Sequence, residues 1–151
     1  MPVTMEQVRA ELDSDEPDYE RAAGLGPEAL PHLEQLAKGE DPMLAPKAVY
    51  LTALVRHERS ASLLEQAARS DDPRIRVAAA SAAGHLAQDS ASDVLLPLVT
   101  DADVGVRKVA LKSVPARPKP ELRTTIEELS TSDTDRNIRE LSEQTLQRLP
   151  D

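Results

Sequence analysis

The sequence has no cysteine, no tryptophan and no phenylalanine, and only five glycines in 151 residues. Without cysteine there is no disulfide framework, no thiol nucleophile and no thiolate metal site. Tyr19 and Tyr50 are the only aromatic residues, too few to stack on an extruded base. Long apolar runs are missing as well. The longest stretch free of charge is the twelve residues from Val77 to Gln88, short of the roughly 18 that a membrane span needs. The opening MPVTMEQVRAELDSDEPD has neither a basic n-region nor an apolar h-region, so no secretory signal is expected and the reading is a soluble, cytoplasmic chain. Positive charge is scarce: 18 Lys and Arg face 27 Asp and Glu, a net of −9. Nucleic-acid affinity grows with the number of phosphates neutralised by clustered Lys and Arg. Neither a nucleic acid nor a membrane is therefore expected as partner.

What the chain does have is Ala, Leu and Val in plenty, within a hydrophobic share of 40% that suffices to bury one core. Its acidic charge is concentrated at one end. Residues 1–41 carry eleven acidic side chains against three basic ones, a net of −8, and the rest of the chain is close to neutral. Such an end keeps the chain soluble and supplies helix N-caps, or it docks a basic partner.

Four segments align by eye: EDPMLAPKAVYLTAL, DDPRIRVAAASAAGHL, DADVGVRKVALKSV and SDTDRNIRELSEQTL. Their anchor acids are Asp41, Asp72, Asp103 and Asp135, spaced 31, 31 and 32 residues apart. At +3 stand Leu44, Ile75, Val106 and Ile138, and at +7 Ala48, Ala79, Ala110 and Ser142. That is the spacing of an amphipathic helix. A second column precedes each anchor: Leu33, Leu64, Leu95 and Ile126. The unit is thus a pair of helices, the first at roughly 28–38, 60–69, 91–99 and 120–130 and the second just after each anchor acid. No segment alternates with period two. The spacing predicts an all-α chain in a single domain, with a degenerate helical cap at 1–25 and repeats at 26–57, 58–88, 89–117 and 118–151.

Local signals fit these boundaries. The anchor acids suit N-caps, and Pro42 and Pro73 suit first helical positions. Thr4-x-x-Gln7 and Ser62-x-x-Glu65 read as capping boxes. Gly84 falls inside the alanine-rich second helix, where close approach of a neighbouring backbone is the expected reason for it. The column Val49, Ala80, Leu111 ends in Glu143, as the polar outer face of a terminal repeat should.

DDPRIRVAAASAAGHL resembles the HEAT repeat, in particular the short bacterial type similar to the repeats of phycobilisome lyase subunits. The likeness is strong over 70–88, good over 101–114 and 133–149, and weaker over 41–55, where Ala45 replaces the arginine. It implies a right-handed α-α superhelix, a HEAT-like solenoid of about four helix pairs, whose second helices line the concave side. It implies binding of a protein far more often than catalysis. It also implies a ladder of acids and arginines between repeats, here Asp72 with Arg76, Asp103 with Arg107 and Asp135 with Arg139.

Chemistry-bearing patterns are sparse. His32, His57 and His85 form no HExxH or other metal spacing, and His57-Glu58 reads as a dipeptide at a helix end. No nucleophile elbow, P-loop or dinucleotide fingerprint occurs. No cofactor or metal is expected, and the chain reads as a non-enzyme. The exposed side of the second helices is the remaining candidate: Tyr50, Leu54 and Val77 at one end, Ser81 and His85 beside them, Lys108 and Lys112 in the middle and Glu140 beyond. An apolar patch with a basic shoulder suits a protein partner, with the chain itself a monomer or weak homo-oligomer. The other reading is that Tyr50 packs under the N-terminal cap. A subunit of a bilin-lyase-like enzyme is the alternative function.

Overall fold

The computed structural model describes residues 2–39 and 41–150; Met1, Glu40 and Asp151, the outermost positions of the first and last units among them, lie outside it. Its regular elements are helical throughout, with no strand among the described residues. Helices α1 (Met5–Leu12) and α2 (Tyr19–Ala23) come first, and a 3-10 turn (Pro27–Ala29) leads into α3 (Leu30–Lys38). Then follow α4 (Leu44–Leu54), α5 (Glu58–Ala67), α6 (Pro73–Ala83), α7 (Gln88–Leu98), α8 (Val104–Lys112), α9 (Pro120–Ser132) and α10 (Arg136–Arg148). The pairs α3/α4, α5/α6, α7/α8 and α9/α10 are the four repeating units.

The apolar columns read from the sequence are the core. Leu33, Leu64, Leu95 and Ile126 of the first helices are fully buried, as are Ala48, Ala79 and Ala110 of the second. Neighbouring second helices contact one another more extensively than neighbouring first helices do. The cause is side-chain size. Ala79, Ala80, Ala82 and Ala83 on α6 are all buried and let the flanking α4 and α8 approach closely, at the density of an organic crystal. A stack that is tighter on one side curves toward that side, so the second helices line its concave face.

Several local expectations need correction. Asp41 Oδ1 accepts from the backbone of Met43 and Leu44, but α4 begins at Leu44, so Pro42 sits in the turn before the helix. Ser62 lies inside α5, which starts earlier because His57 is its N-cap, with Nδ1 accepting from the Arg59 N–H at 3.1 Å. The imidazole thus serves the helix start as an Asp or Ser side chain would. Gly84 terminates α6 instead of interrupting it, at φ −61°. A Cβ there would meet Ser113 O at 3.7 Å, an ordinary contact. No neighbour demands the glycine. Only Gly26, at φ 78°, needs the freedom of a residue without a Cβ.

The ladder is real but uses other acids. Asp72, Asp103 and Asp135 are N-caps, accepting from Arg74, Val106 and Ile138 N–H groups. A carboxylate so employed faces its own helix start and does not reach the next repeat. The bridging acids stand two positions earlier, in the dipeptide-spaced Asp101-x-Asp103 and Asp133-x-Asp135. Arg76 grips Asp101 with two bonds, Nε–Oδ2 at 2.8 Å and Nη2–Oδ1 at 3.1 Å. Arg107 pairs with Asp133, Nε–Oδ2 at 3.2 Å. Each arginine also donates from Nη1 to the carbonyl six residues before it: Arg76 to Ser70, Arg107 to Asp101 and Arg139 to Asp133, at 2.8, 2.8 and 2.6 Å. The same loop residues turn their side chains on the anchor N–H groups of Asp72, Asp103 and Asp135. Donating these hydrogen bonds to Asp101 raises the Arg76 pKa above its ordinary value. One guanidinium thus ties a loop to its own helix and to the next repeat.

The N-terminal segment is held differently. Val8, Leu12 and Ala22 are fully buried in a separate cluster with Leu30, Leu33, Leu44 and Leu51. Lys47 on α4 reaches across to the carbonyls of Leu12 (3.1 Å) and Ser14 (2.7 Å), satisfying the end of α1. His32 Nε2 shares a 2.9 Å hydrogen bond with Val3 O. The expected capping box at Thr4 and Gln7 is present.

Candidate functional site

Between α4 and α6 the concave face holds a groove of about 450 Å³, lined by Pro46, Tyr50, Arg74, Val77 and Ser81, with Tyr19 of α2 at its edge. The helical period that buries Ala48 and Leu51 turns Pro46 and Tyr50 outward. Tyr19 meets Tyr50 edge to face, centroids 4.8 Å apart. Tyr50 meets His85 the same way at 5.2 Å, and its hydroxyl shares a 2.7 Å hydrogen bond with His85 Nε2. Tyr50 thus meets Tyr19 of the N-terminal segment on one edge and lines the groove with the other. Burial and the nearby Tyr50 phenol raise the Tyr19 pKa above 10.0, its ordinary value.

Leu54 is not with them. It is half-buried against the first core cluster, which Val8, Leu12 and Ala22 share with Leu33, Leu51 and Leu63. Tyr19 takes its place at the groove. Its proximity to Tyr50 comes from the docking of residues 1–25, which break the repeat register, so no column spacing points to it. The charges at this groove are spent. Arg74 forms a bidentate pair with Asp72, at 3.2 and 3.0 Å, and Lys47 is bound to carbonyls. Arg74 also holds Asp72 below the usual carboxylate pKa by hydrogen bonding to it. The groove is aromatic and neutral.

Between α8 and α10 lies a second groove of about 420 Å³ on the same face. Lys108, Lys112 and Glu140 line it together with Val104, Ile138 and Leu141. Lys108 and Lys112 are exposed and stand one helical turn apart. Glu140 is held by Arg136 at 3.0 Å. The alanine-rich contact of α6 with α8 lies between the two grooves. Of the other residues expected on this face, Ser81 lines the first groove and His85 is joined to it through the Tyr50 hydroxyl.

Among the described residues no three His, Asp or Glu side chains converge on a point that would hold a metal. None of the helices is long and apolar enough to cross a membrane.

Comparison with known proteins bears on the fold. The sequence profile described as HEAT repeats matches residues 30–115 and, in a second register, residues 60–147. No curated protein sequence matches the chain. Among solved structures, the chain is similar to one in the complex of CpcE and CpcF of phycocyanin lyase from Nostoc sp. PCC7120. The TM-score is 0.67 at 20% sequence identity, over 93% of this chain and 96% of that one. A likeness at that identity concerns the fold.

Proposed function

The chain belongs to the HEAT-repeat family, and we propose that it is a non-enzymatic adaptor that binds a protein partner on the concave face of its second helices. One observation carries this reading. The face presents an aromatic groove at Tyr19, Tyr50 and Val77 and, beside it, a second groove with two free ammonium groups. An aromatic anchor with a charged shoulder is the usual make-up of an interface centre, and the alanine-packed core below it is rigid enough to present both without rearrangement. The acidic N-terminal end then acts through its field, slowing the approach of other acidic chains. The reading places the chain in the cytoplasm.

The test is capture of a partner from the native host, followed by surface plasmon resonance on that partner. Tyr50→Ala is expected to raise the dissociation rate. Lys108→Glu with Lys112→Glu is expected to lower the association rate, an effect that fades at high salt. Asp93→Lys and Glu121→Lys in the groove between α7 and α9 on the opposite face are expected to change neither. If only those outer substitutions alter binding, the concave-face reading is wrong.

A second reading rests on the likeness to a chain from a lyase complex, in which this protein would be one subunit of a lyase-like enzyme. Against it, a large conjugated ligand seeks an apolar, largely enclosed pocket. The grooves here are open, and the chain has two tyrosines and no cysteine to line them. A change in the absorbance of a free tetrapyrrole on titration with the protein would favour the lyase-like reading.

A further inference from the structure

The chain contains five lysines. Lys38 and Lys119 are in ion pairs with Glu34 and Asp93, and Lys47 is bound to two carbonyls. Among the described residues, Lys108 and Lys112 have no carboxylate within ion-pairing distance. They are a like-charged pair at i, i+4 on one exposed helix face, an arrangement that costs a helix a few tenths of a kcal/mol. Yet the chain as a whole carries an excess of nine acids.

The acids nearest them are already engaged. Asp135 Oδ1 accepts from the Ile138 N–H as N-cap, and Glu140 is held by Arg136. The groove between α8 and α10 therefore presents two unneutralised ammonium groups above an apolar floor of Val104, Ile138 and Leu141. Val104 is 46% exposed, one of two large hydrophobic residues left so far in the open among the described residues. The groove between α4 and α6 shows the opposite, with its cations neutralised and its surface aromatic.

From this complementarity we infer that the α8/α10 groove receives an acidic amphipathic helix of the partner, with carboxylates one turn apart on Lys108 and Lys112 and an aliphatic side chain on the floor between α8 and α10. The ammonium spacing selects the partner's geometry. Two carboxylates at i and i+4 of a helix lying along α8 meet both lysines at once, whereas a disordered acidic tail has to order itself to do so. The inference rests on the concave-face reading and refines it, giving each groove a distinct ligand chemistry.

The probe is a helix-stabilised, fluorescein-labelled peptide of about 18 residues, five turns, with Glu at i and i+4 beside a Leu stripe. Its analogue carries Gln at the same two positions. Fluorescence polarisation against the full chain is expected to show the Glu peptide binding at least about tenfold more tightly at low salt, the gap closing to under about threefold near 0.5 M. Lys108→Glu with Lys112→Glu is expected to remove the preference. Lys108→Arg with Lys112→Arg is expected to keep it. Amide chemical shifts on adding the Glu peptide should move along α8 and α10. Equal binding of the two peptides, or no binding of either, overturns the inference. So do shifts confined to α4 and α6; that result ends the acidic-helix assignment but leaves the concave face as the docking surface.

Discussion

From α6 onward each repeat is joined to the next by an arginine that reaches over the junction, Arg76 to Asp101 and Arg107 to Asp133. Between the first and second repeats the described residues show no bridge of this kind from the second helix; the pair that crosses there, Arg59 with Glu34 at 3.7 Å, joins the first helices and is far more exposed. Ala45 stands where the arginine would be and is buried, and Ser70 stands where its acid would be. Both halves of the bridge are missing together. A buried carboxylate or guanidinium without its partner is costly, whereas a junction lacking both is not. The N-terminal end uses local contacts in place of the bridge: a lysine on two carbonyls, a histidine on a third, and tyrosines edge to edge. The difference teaches that the solenoid is clasped by buried carboxylate–guanidinium pairs where its repeats are regular, and by side chains on backbone carbonyls together with an aromatic contact where they are not.

The sharpest way to break this contrast is Asp133→Ala. The Asp133 side chain is 6% exposed and the Arg107 side chain 13%, so truncation strands a nearly buried guanidinium and removes the acceptor of the Asp135 N–H. A loss of about 3–5 kcal/mol is expected. Ser70→Ala, the same position one junction from the N-terminus, forfeits only its bond to the Asp72 N–H, about 0.5–1.5 kcal/mol. Urea unfolding of both variants measures the difference. Equal losses would mean that the bridges do not distinguish the two regions.

Lys47→Met addresses the other end. It keeps the aliphatic stem on α4 and removes the bonds to Leu12 O and Ser14 O. A cost of about 1–2 kcal/mol is expected, since hydrogen bonds to a charged, half-exposed group fall in that range. Hydrogen exchange should rise in α1 and α2 and stay unchanged in α9 and α10. A uniform rise along the chain would show the ends to be coupled more tightly than their contacts suggest.

These two clasps also show how far the sequence could be read. The 31-residue column of Leu33, Leu64, Leu95 and Ile126 needs only a period and apolar identity, so the helix pairs and their buried faces were legible. The ladder was legible as a chemistry but was assigned the wrong acid, because two aspartates occur two residues apart and only geometry shows which one caps. A column at two positions before the anchor, reading Gly39, Ser70, Asp101 and Asp133, holds that signal. Lys47 and Tyr19 had no column to betray them. Their partners lie in residues 1–25, where the period is lost, and a contact between an irregular segment and a regular one leaves no periodic trace. Ser142 is the reverse case: its column is otherwise alanine, and its Oγ is buried without a partner, a cost that no pattern explains.

Gly84→Ala tests the border between the two regions, at the end of α6. The backbone is already right-handed helical there, and the added methyl finds only ordinary contacts. Restricting the unfolded chain should then raise stability by about 0.4–1 kcal/mol, read as a higher melting temperature. A decrease would mean that α6 and α8 pack more closely at Ser113 than the 3.7 Å approach allows.

The smallest effect belongs to the aromatic clasp, and it can be read without any other chromophore interfering. Tyr19 and Tyr50 are the only aromatic side chains, so ultraviolet titration of phenolate reports on those two groups alone. Burial first, and the Tyr50 phenol second, raise the Tyr19 pKa above 10.0. A raised value means that the folded state holds the proton longer than the unfolded chain does. The stability this contributes is fully present below pH 10 and is lost as pH climbs from there through the folded value. The folded protein should therefore show one phenol titrating later than either does in urea. Tyr50→Phe removes the lesser cause but leaves the burial, so Tyr19 should still titrate above its urea value, though less far above. If Tyr19 instead falls to the unfolded value in Tyr50→Phe, its burial depends on the Tyr50 hydroxyl and its bond to His85, and the clasp is polar after all. A Tyr19 that titrates as in urea even in the unmodified protein would mean that α2 does not stay docked on α4, and the aromatic groove would lose its edge.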